Sequence, residues 1–186
     1  MPYEFALYIH FFGLFALISG FALLQHGGWR LRHADSTEHA RMWLGLTRTG
    51  VPALHAGLGF LFLSGLFMAW SAWSPTSPWL IVALCSAIAI GIGTGVLARR
   101  LRTVQRAIEN TPEGPLPQDL ASQITEPWPW IVMIGSNGLA FGVLWVMVDR
   151  PNLPISLAVV IAFAAVGLAF GTQMAKRPAI AARITD

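Results

Sequence analysis

Residues 51–73, VPALHAGLGFLFLSGLFMAWSAW, decide the fold, because these 23 consecutive positions carry no acidic or basic side chain apart from one histidine. Four further segments also lack Asp, Glu, Lys and Arg: 5–25, 79–98, 128–148 and 155–175. About 20 residues of helix cross a hydrocarbon core of about 30 Å, and a helix satisfies its own backbone hydrogen bonds there. The sequence therefore predicts an all-α polytopic membrane bundle with five transmembrane helices, forming one domain over residues 1–186.

The composition excludes several other classes of protein. Of the 186 residues, 55% are hydrophobic and 11% are charged, whereas about 25% of positions are charged in a soluble domain. This deficit excludes a solvated globular fold and a disordered chain, and the single cysteine, Cys85, excludes a disulfide scaffold. The net charge of +3 does not indicate a nucleic-acid partner, because no nucleic-acid-binding motif accompanies it.

The basic residues predict the orientation of the bundle. Eleven of the twelve fall on one side of a five-span arrangement, namely Arg30, Arg32, Arg41, Arg48, Arg99, Arg100, Arg102, Arg106, Lys176, Arg177 and Arg183, and Arg150 falls on the other. Since positive loops stay in the cytoplasm, we expect the N-terminus outside and the C-terminus inside a bacterial inner membrane. The first segment has no basic leader and no small-residue cleavage site, so we expect it to remain as a membrane helix rather than a signal peptide.

Small residues recur at helical spacing in three of the segments. They are Ala83, Ala87, Gly91 and Gly95 in the third, Gly135, Gly138 and Gly142 in the fourth, and Gly167 and Gly171 in the fifth. Such faces let two helix backbones approach closely in lipid. The sequence predicts packing surfaces here, used either within one chain or between copies or partners.

His10 is the leading candidate for a functional residue. At 100° per residue it shares a helix face with Gly13, Leu17 and Gly20, which predicts that it points into the bundle. An ionisable residue inside a membrane is a functional-site hypothesis by default, and a histidine bonded to a neighbouring hydroxyl or carbonyl is the structural alternative. His55 lies about 17 Å deeper than His10, so the two cannot ligate one iron. Met68 matches the depth of His10 and could pair with it at a haem.

Two further groups of polar residues have competing interpretations. His26, His33, Asp35, Glu38 and His39 lie together in the first basic loop. Asp35 and His39 could share a helical face as metal ligands, or Asp35–Glu38 could form a capping box that opens a short interfacial helix. Asn137, near the middle of the fourth segment, predicts an interhelical hydrogen bond.

Short motifs carry a resemblance that covers roughly residues 5 to 151. They are Leu7-Tyr-Ile-His10 with Gly13, Pro52 followed by Gly65, Pro78-Trp79, Leu116-Pro117 and Met147-Val-Asp-Arg-Pro151. In these the chain resembles a bacterial family of small integral membrane proteins of unknown function. More distantly it resembles the copper-resistance D-type proteins and the membrane protoporphyrinogen oxidases, which are haem-associated.

The candidate residues predict a site in the outer third of the bundle, and the resemblance implies roles for two of them. His10 matches the first-helix histidine that the haem-associated relatives use at their cofactor, so it would be the metal ligand of a haem b. Arg150 stands where those relatives tend to have lysine. Since arginine keeps its proton, it could bind a propionate or a phosphate but not transfer a proton. Glu4, Met68 and Asp149 would converge on the same site.

Two other classes of function stay open beside haem binding. One is a non-catalytic membrane subunit or assembly factor that holds a membrane partner, or a second copy, through its Gly/Ala faces. The other is a transporter, for which the sequence offers few polar residues within the spans. No Gly-x-Ser-x-Gly, His-Glu-x-x-His or phosphate-loop motif is present to indicate an enzyme class. Membrane lipid is the one partner that the composition itself implies.

Overall fold

The computed structural model of the protein describes residues 2–74 and 76–176, which form six α-helices and no β-strand. The helices are α1 Pro2–Arg32, α2 Thr37–Ala72, α3 Pro78–Glu109, α4 Gln118–Thr125, α5 Trp128–Asp149 and α6 Leu153–Lys176. Arg177 and Arg183, which entered the orientation argument, lie outside the described residues. Five helices are long and apolar enough to cross a membrane, which confirms the predicted all-α membrane bundle.

Three of the spanning helices are longer than a membrane requires. α1, α2 and α3 have 31, 36 and 32 residues, and at 1.5 Å per residue α2 is about 54 Å long against a hydrocarbon core of about 30 Å. The extra turns lie at one end, which we call the basic end because Arg30, Arg48 and Arg99 lie there; the other is the opposite end. The expected short interfacial helix is therefore wrong, since α2 runs without a break from Thr37 through Pro52 into the membrane.

Glycines spaced seven residues apart hold α1 against α2. On α1 and α2 they are Gly13, Gly20, Gly27, Gly50 and Gly57. A Cβ atom built on Gly20 would lie 2.5 Å from the backbone nitrogen of Leu54, and one on Gly57 would meet the backbone nitrogen of Leu17. The two backbones thus touch directly, and the predicted glycine face of α1 is confirmed as an interhelical contact.

A second antiparallel pair, α5 and α6, is packed in the same way. A Cβ on Gly138 would strike the carbonyl oxygen of Phe163, and one on Gly167 would lie 2.8 Å from the carbonyl oxygen of Ile134. These predicted small-residue faces are therefore used within one chain. The face of α3 is only partly used, because a Cβ built on Gly91 would lie 3.3 Å from the Leu58 side chain, whereas one on Gly95 would have no atom within 4 Å.

Three separate apolar clusters result among the described residues, the smallest of which joins α3, α5 and α6 through Val82, Val146 and Val160. The first lies within the membrane part and joins α1, α2, α3 and α5 through Leu17, Phe21, Leu24, Leu54, Ile90, Leu97, Trp130, Met133 and Ile134. The second lies at the basic end, where α4 packs on the extra turns through Leu31, Ala34, Ala40, Leu44, Val104, Ile108, Leu120 and Ile124. Large apolar side chains elsewhere face outward, as expected for a surface covered by lipid.

Candidate functional site

His10 lies in the α1–α2 contact towards the opposite end. Its Nδ1 is 3.0 Å from the hydroxyl oxygen of Ser64 on α2. A Cβ on Gly65 would lie 3.4 Å from the His10 Cε1 atom, so the glycine leaves the space that the ring occupies. His10 is half-buried, and Gly13, one turn along α1, packs against Phe60. The prediction that His10 faces the bundle is confirmed.

The surroundings of Ser64 determine the tautomer of His10. Ser64 is 5% exposed, and its single hydroxyl hydrogen is donated to the carbonyl oxygen of Phe60, with that of Leu61 at 3.4 Å. The same oxygen must therefore accept the contact with His10, so Nδ1–H of the histidine is the donor. Nε2 then carries a lone pair, the form of imidazole that binds metals.

Met68 lies one helical turn beyond Ser64 on α2 and is half-buried. Residues four apart share a helix face, so Met68 lies on the side of α2 that meets His10. Its service as a second axial ligand remains a prediction.

Arg150 lies at the opposite end, but its described contact is with α2 rather than with His10. It caps α5 in the left-handed conformation, with φ of 53°, and its guanidinium carbon lies 4.1 Å from the centre of the Trp73 ring. Trp73 is eight residues beyond Gly65 on α2, about 12 Å along the axis. Trp29 and Trp130 join α1 to α5 at the basic end, with ring centroids 6.0 Å apart.

The side chains that were expected to converge at the opposite end therefore lie in two separate clusters. His10, Ser64 and Gly65 form one cluster, and Arg150 forms another with Trp73. Glu4 and Asp149 are exposed residues at the same end, and their participation in a shared site stays a prediction.

His55 has a different environment from His10. Its Nδ1 donates to the carbonyl oxygen of Val51, one turn back on the same helix, at 2.9 Å. Ser64, the partner of His10, is nine residues farther along α2, about 14 Å along the axis. The two intramembrane histidines thus belong to separate places, in agreement with the predicted difference in depth.

Part of the polar cluster in the first basic loop forms the N-terminal cap of α2. Ser36 is the N-cap of α2 and accepts from the backbone N–H of His39 at 3.4 Å, one position later than the predicted box of Asp35 and Glu38. His39 Nδ1 lies 2.6 Å from Asp35 Oδ1, and this exposed hydrogen bond lowers the pKa of Asp35 below its ordinary value. Across residues 2–74 and 76–176, no group of three or more His, Cys, Asp and Glu side chains could hold a metal ion.

Asn137 does not form the expected interhelical bond with any described residue. It lies half-buried on α5, between Ser136 and Gly138, which face neighbouring helices. The close contacts of Gly138 and Gly167 between α5 and α6 show that backbone packing fixes the register of this pair.

A buried arginine at the basic end was missed by sequence reasoning. Arg32 is 4% exposed and donates to the carbonyl oxygens of Glu126 at 3.3 Å and Ala175 at 3.1 Å. Arg100 forms an ion pair with Glu126 at 2.8 Å. One sign was available: Arg32 follows Leu31, which continues the seven-residue pattern of Leu17 and Leu24 on the buried face of α1. We call this group the arginine clasp, because it joins the end of α1 to the C-cap of α4 and the end of α6.

Comparison with known proteins finds no family model, no curated protein and no solved structure that matches this chain.

Proposed function

We propose that this protein binds haem b in the membrane, with Nε2 of His10 as an axial ligand. The observation that carries the proposal is the hydrogen bond from His10 Nδ1–H to Ser64. A second partner that holds Nδ1–H fixes both the tautomer and the direction of the ring, which is how metal-binding histidines are commonly oriented. The positive basic end favours a bacterial inner membrane with the His10 site in its outer half.

A haem fits this residue set better than a bare metal ion. A metal held by protein alone needs three or four side-chain ligands, and the described residues offer no such group. A porphyrin brings its own nitrogen ligands to the iron, so one or two protein ligands are enough. His10 would supply one of them, and Met68 on the same side of α2 is the candidate for the other.

Arg150 is suited to a carboxylate at the water boundary. One face of its guanidinium lies on Trp73, which leaves the N–H groups at the edge of the plane available for a bidentate bond to a propionate. Arginine remains charged at any physiological pH, so the proposed role is neutralisation of charge and not proton transfer.

The test is the absorption spectrum of the detergent-purified protein after expression with a haem supply. We expect a Soret band in the wild type, its loss in His10→Ala, and its retention in His55→Ala, which removes the other intramembrane histidine. A wild-type protein without Soret absorption, or a His10→Ala variant with an unchanged spectrum, would refute the proposal.

Ser64→Ala tests the orienting hydrogen bond itself. Loss of such a bond weakens metal binding by about 10- to 100-fold, so we expect a corresponding drop in haem affinity with the Soret band still present at high haem concentration. Ser71→Ala is the matched control, because Ser71 lies two turns farther on α2 and bonds only to the backbone carbonyls of Phe67 and Met68. If the wild type carries no haem but a membrane protein copurifies with it stably, the partner-subunit hypothesis takes its place.

A further inference from the structure

A second candidate site lies at the basic end, in a cleft between α2 and α3. The cleft has a volume of about 670 Å³. Its α2 wall runs from Leu44 to His55, and its α3 wall runs from Gly95 to Glu109. Neither wall contains His10, Ser64 or Arg150, so the cleft is distinct from the proposed haem site. We call it the basic cleft.

The rim of the basic cleft has an excess of positive charge. Four exposed arginines line it, Arg48, Arg99, Arg102 and Arg106. Glu109 is its one acidic residue, and that carboxylate accepts a hydrogen bond from Gln105 at 2.7 Å. Within the described residues, the arginines that form ion pairs with carboxylates are Arg41 and Arg100, outside the rim. The four rim guanidiniums are therefore available to an anionic ligand.

The deeper part of the basic cleft is apolar and open. Val51 and Pro52 line it from α2, and Gly95 and Ala98 line it from α3. All four positions belong to segments without Asp, Glu, Lys or Arg, so this part lies within the membrane. A Cβ atom on Gly95 would meet nothing within 4 Å, which shows that the space beside α3 is not filled by the protein.

Two polar groups line the cleft inside the rim: His55 at its deep end and the backbone carbonyl of Arg48 next to the rim. His55 uses Nδ1–H for the Val51 carbonyl, which leaves Nε2 as the ring nitrogen that a ligand can reach. Pro52 has no N–H, so the carbonyl oxygen of Arg48 loses the donor that a helix normally provides. Both atoms accept hydrogen bonds, and the Arg48 carbonyl, next to the rim, suits a hydroxyl group close to an anionic centre.

We propose that the basic cleft binds an anionic phospholipid, with the phosphate at the rim arginines and an acyl chain against Val51, Gly95 and Ala98. Arginine is well matched to phosphate because its planar N–H groups bind two oxygens together. Basic pockets between membrane helices on the cytoplasmic side are suited to anionic headgroups. A soluble phosphate would satisfy the arginines but would leave the apolar part of the cleft without an occupant, so the lipid is favoured.

The first test measures binding of dioleoylphosphatidylglycerol to the detergent-purified protein by native mass spectrometry, with dioleoylphosphatidylcholine as the zwitterionic reference. We expect the wild type to prefer the anionic lipid and the double variant Arg102→Gln/Arg106→Gln to bind it about 30-fold more weakly. The matched control is Arg30→Gln/Lys176→Gln, which removes the same charge from the same end but outside the cleft. We expect less than a threefold change there, and equal losses in both double variants would overturn the proposal.

Gly95→Leu tests the cleft without any change of charge. The new side chain enters open space, so the fold should persist, as far-UV circular dichroism and gel filtration can establish for each variant. We expect at least a tenfold loss of the anionic lipid, because leucine occupies the place of the acyl chain. Wild-type binding in Gly95→Leu would overturn the proposal, even if the arginine variant misfolds.

Competition with inorganic phosphate separates the two sources of a phosphate group. If a lipid is the ligand, excess phosphate should leave the bound dioleoylphosphatidylglycerol largely in place, because inorganic phosphate cannot make the apolar contacts of the acyl chain. Displacement of the lipid by phosphate at comparable concentration would show that the site takes a soluble anion, and would overturn the lipid assignment.

Discussion

The membrane part of the α1–α2 pair and the layer at the basic end belong to the same two helices but are held together differently. In the membrane part, Gly20 and Gly57 bring the backbones into direct contact. At the basic end, beyond Gly27, the same helices are joined by ordinary apolar side chains, such as Leu31 and Leu44. Arg32 adds hydrogen bonds there from α1 to the carbonyl oxygens of Glu126 and Ala175. One pair of helices therefore changes its mode of packing along its length.

The difference follows from the solvent on each side of the boundary. Lipid tails are as apolar as leucine, so helices in a membrane gain little from burying side chains and associate through close van der Waals contact. In water, burial of apolar area is favourable by about 25 cal/mol per Å², and a layer of leucines and isoleucines is enough. Substitutions that fill space should therefore be most harmful in the membrane part, and substitutions that remove side chains should be most harmful at the basic end.

The largest effect is expected for Gly57→Ala. Its Cβ would meet the backbone nitrogen of Leu17, and backbone cannot move aside as a flexible side chain can. We expect a loss of stability of about 3 kcal/mol, the upper part of the range for overpacked sites. Thermal unfolding in detergent, followed by far-UV circular dichroism, measures it.

Gly59→Ala is the matched control for this substitution. Gly59 lies on the same helix, two residues away, and an added Cβ meets nothing within 4 Å. The greater helix propensity of alanine should leave stability unchanged or raise it by up to about 1 kcal/mol. If both variants lose the same stability, close backbone contact is not what holds α1 against α2.

The sequence was sufficient to predict the membrane part and insufficient for the basic end. Absence of charge located all five spans, and the shared face of His10, Gly13 and Gly20 was visible from helical periodicity. The ends of the helices were not, because the polar stretch from Thr37 to Gly50 predicted only a short interfacial helix, whereas it continues without a break into the membrane span as α2. α4 was also missed, since eight residues give too short a pattern to distinguish from the proline-rich loop before it.

The second largest effect is expected for Arg32→Ala in the arginine clasp. The change removes hydrogen bonds to Glu126 and Ala175 and the contact of the guanidinium with the Trp130 ring at 5.8 Å. Hydrogen bonds from charged groups contribute about 1.5–3 kcal/mol, and we expect a net loss of about 2 kcal/mol in the same unfolding measurement.

Arg30→Ala provides the comparison for the clasp. Arg30 lies two residues earlier, is exposed, and lies over the Trp43 ring at 4.9 Å. We expect a loss of no more than about 1 kcal/mol, the contribution of an exposed cation–π contact. Equal effects at the two arginines would mean that burial of Arg32 contributes nothing.

The candidate sites show the same limit of sequence reasoning. Some of their residues can be found from the sequence, and others only from the tertiary structure. His10 could be found because a histidine is rare in a membrane helix. Its partner Ser64 could not, because the pairing depends on the register between α1 and α2, 54 positions apart in sequence. The basic cleft was hidden for the same reason: Arg48 and Arg102 become neighbours of one cavity only when α2 and α3 lie side by side.

A smaller effect is expected at Arg150, where the backbone and the side chain act in opposite directions. The left-handed conformation favours glycine, whereas the contact with Trp73 favours arginine. Arg150→Ala loses the ring contact and keeps the backbone strain, so we expect it to destabilise by about 1 kcal/mol. Arg150→Gly loses the contact but relieves the strain, and it should unfold close to the wild-type temperature. A glycine variant that is less stable than the alanine variant would contradict this account.

The smallest effect concerns Asp35 and His39 at the basic end, and it is a dependence on pH. The hydrogen bond from His39 lowers the pKa of Asp35 below the ordinary value of 3.8 in the folded protein. Since the unfolded chain binds the proton more readily, the bond stabilises the fold above pH 3.8 and is lost as the pH falls through the lower, folded value. Asp35→Asn should therefore lower the unfolding temperature slightly near pH 6 and make no difference near pH 2, when the unfolding temperatures are compared with those of the wild type. A difference that grows as the pH falls would show that another carboxylate governs the acid response.

The packing of the membrane part contains no carboxylate, so the Gly57→Ala variant should differ from the wild type by the same amount at both pH values. The same set of measurements therefore separates the two modes of packing.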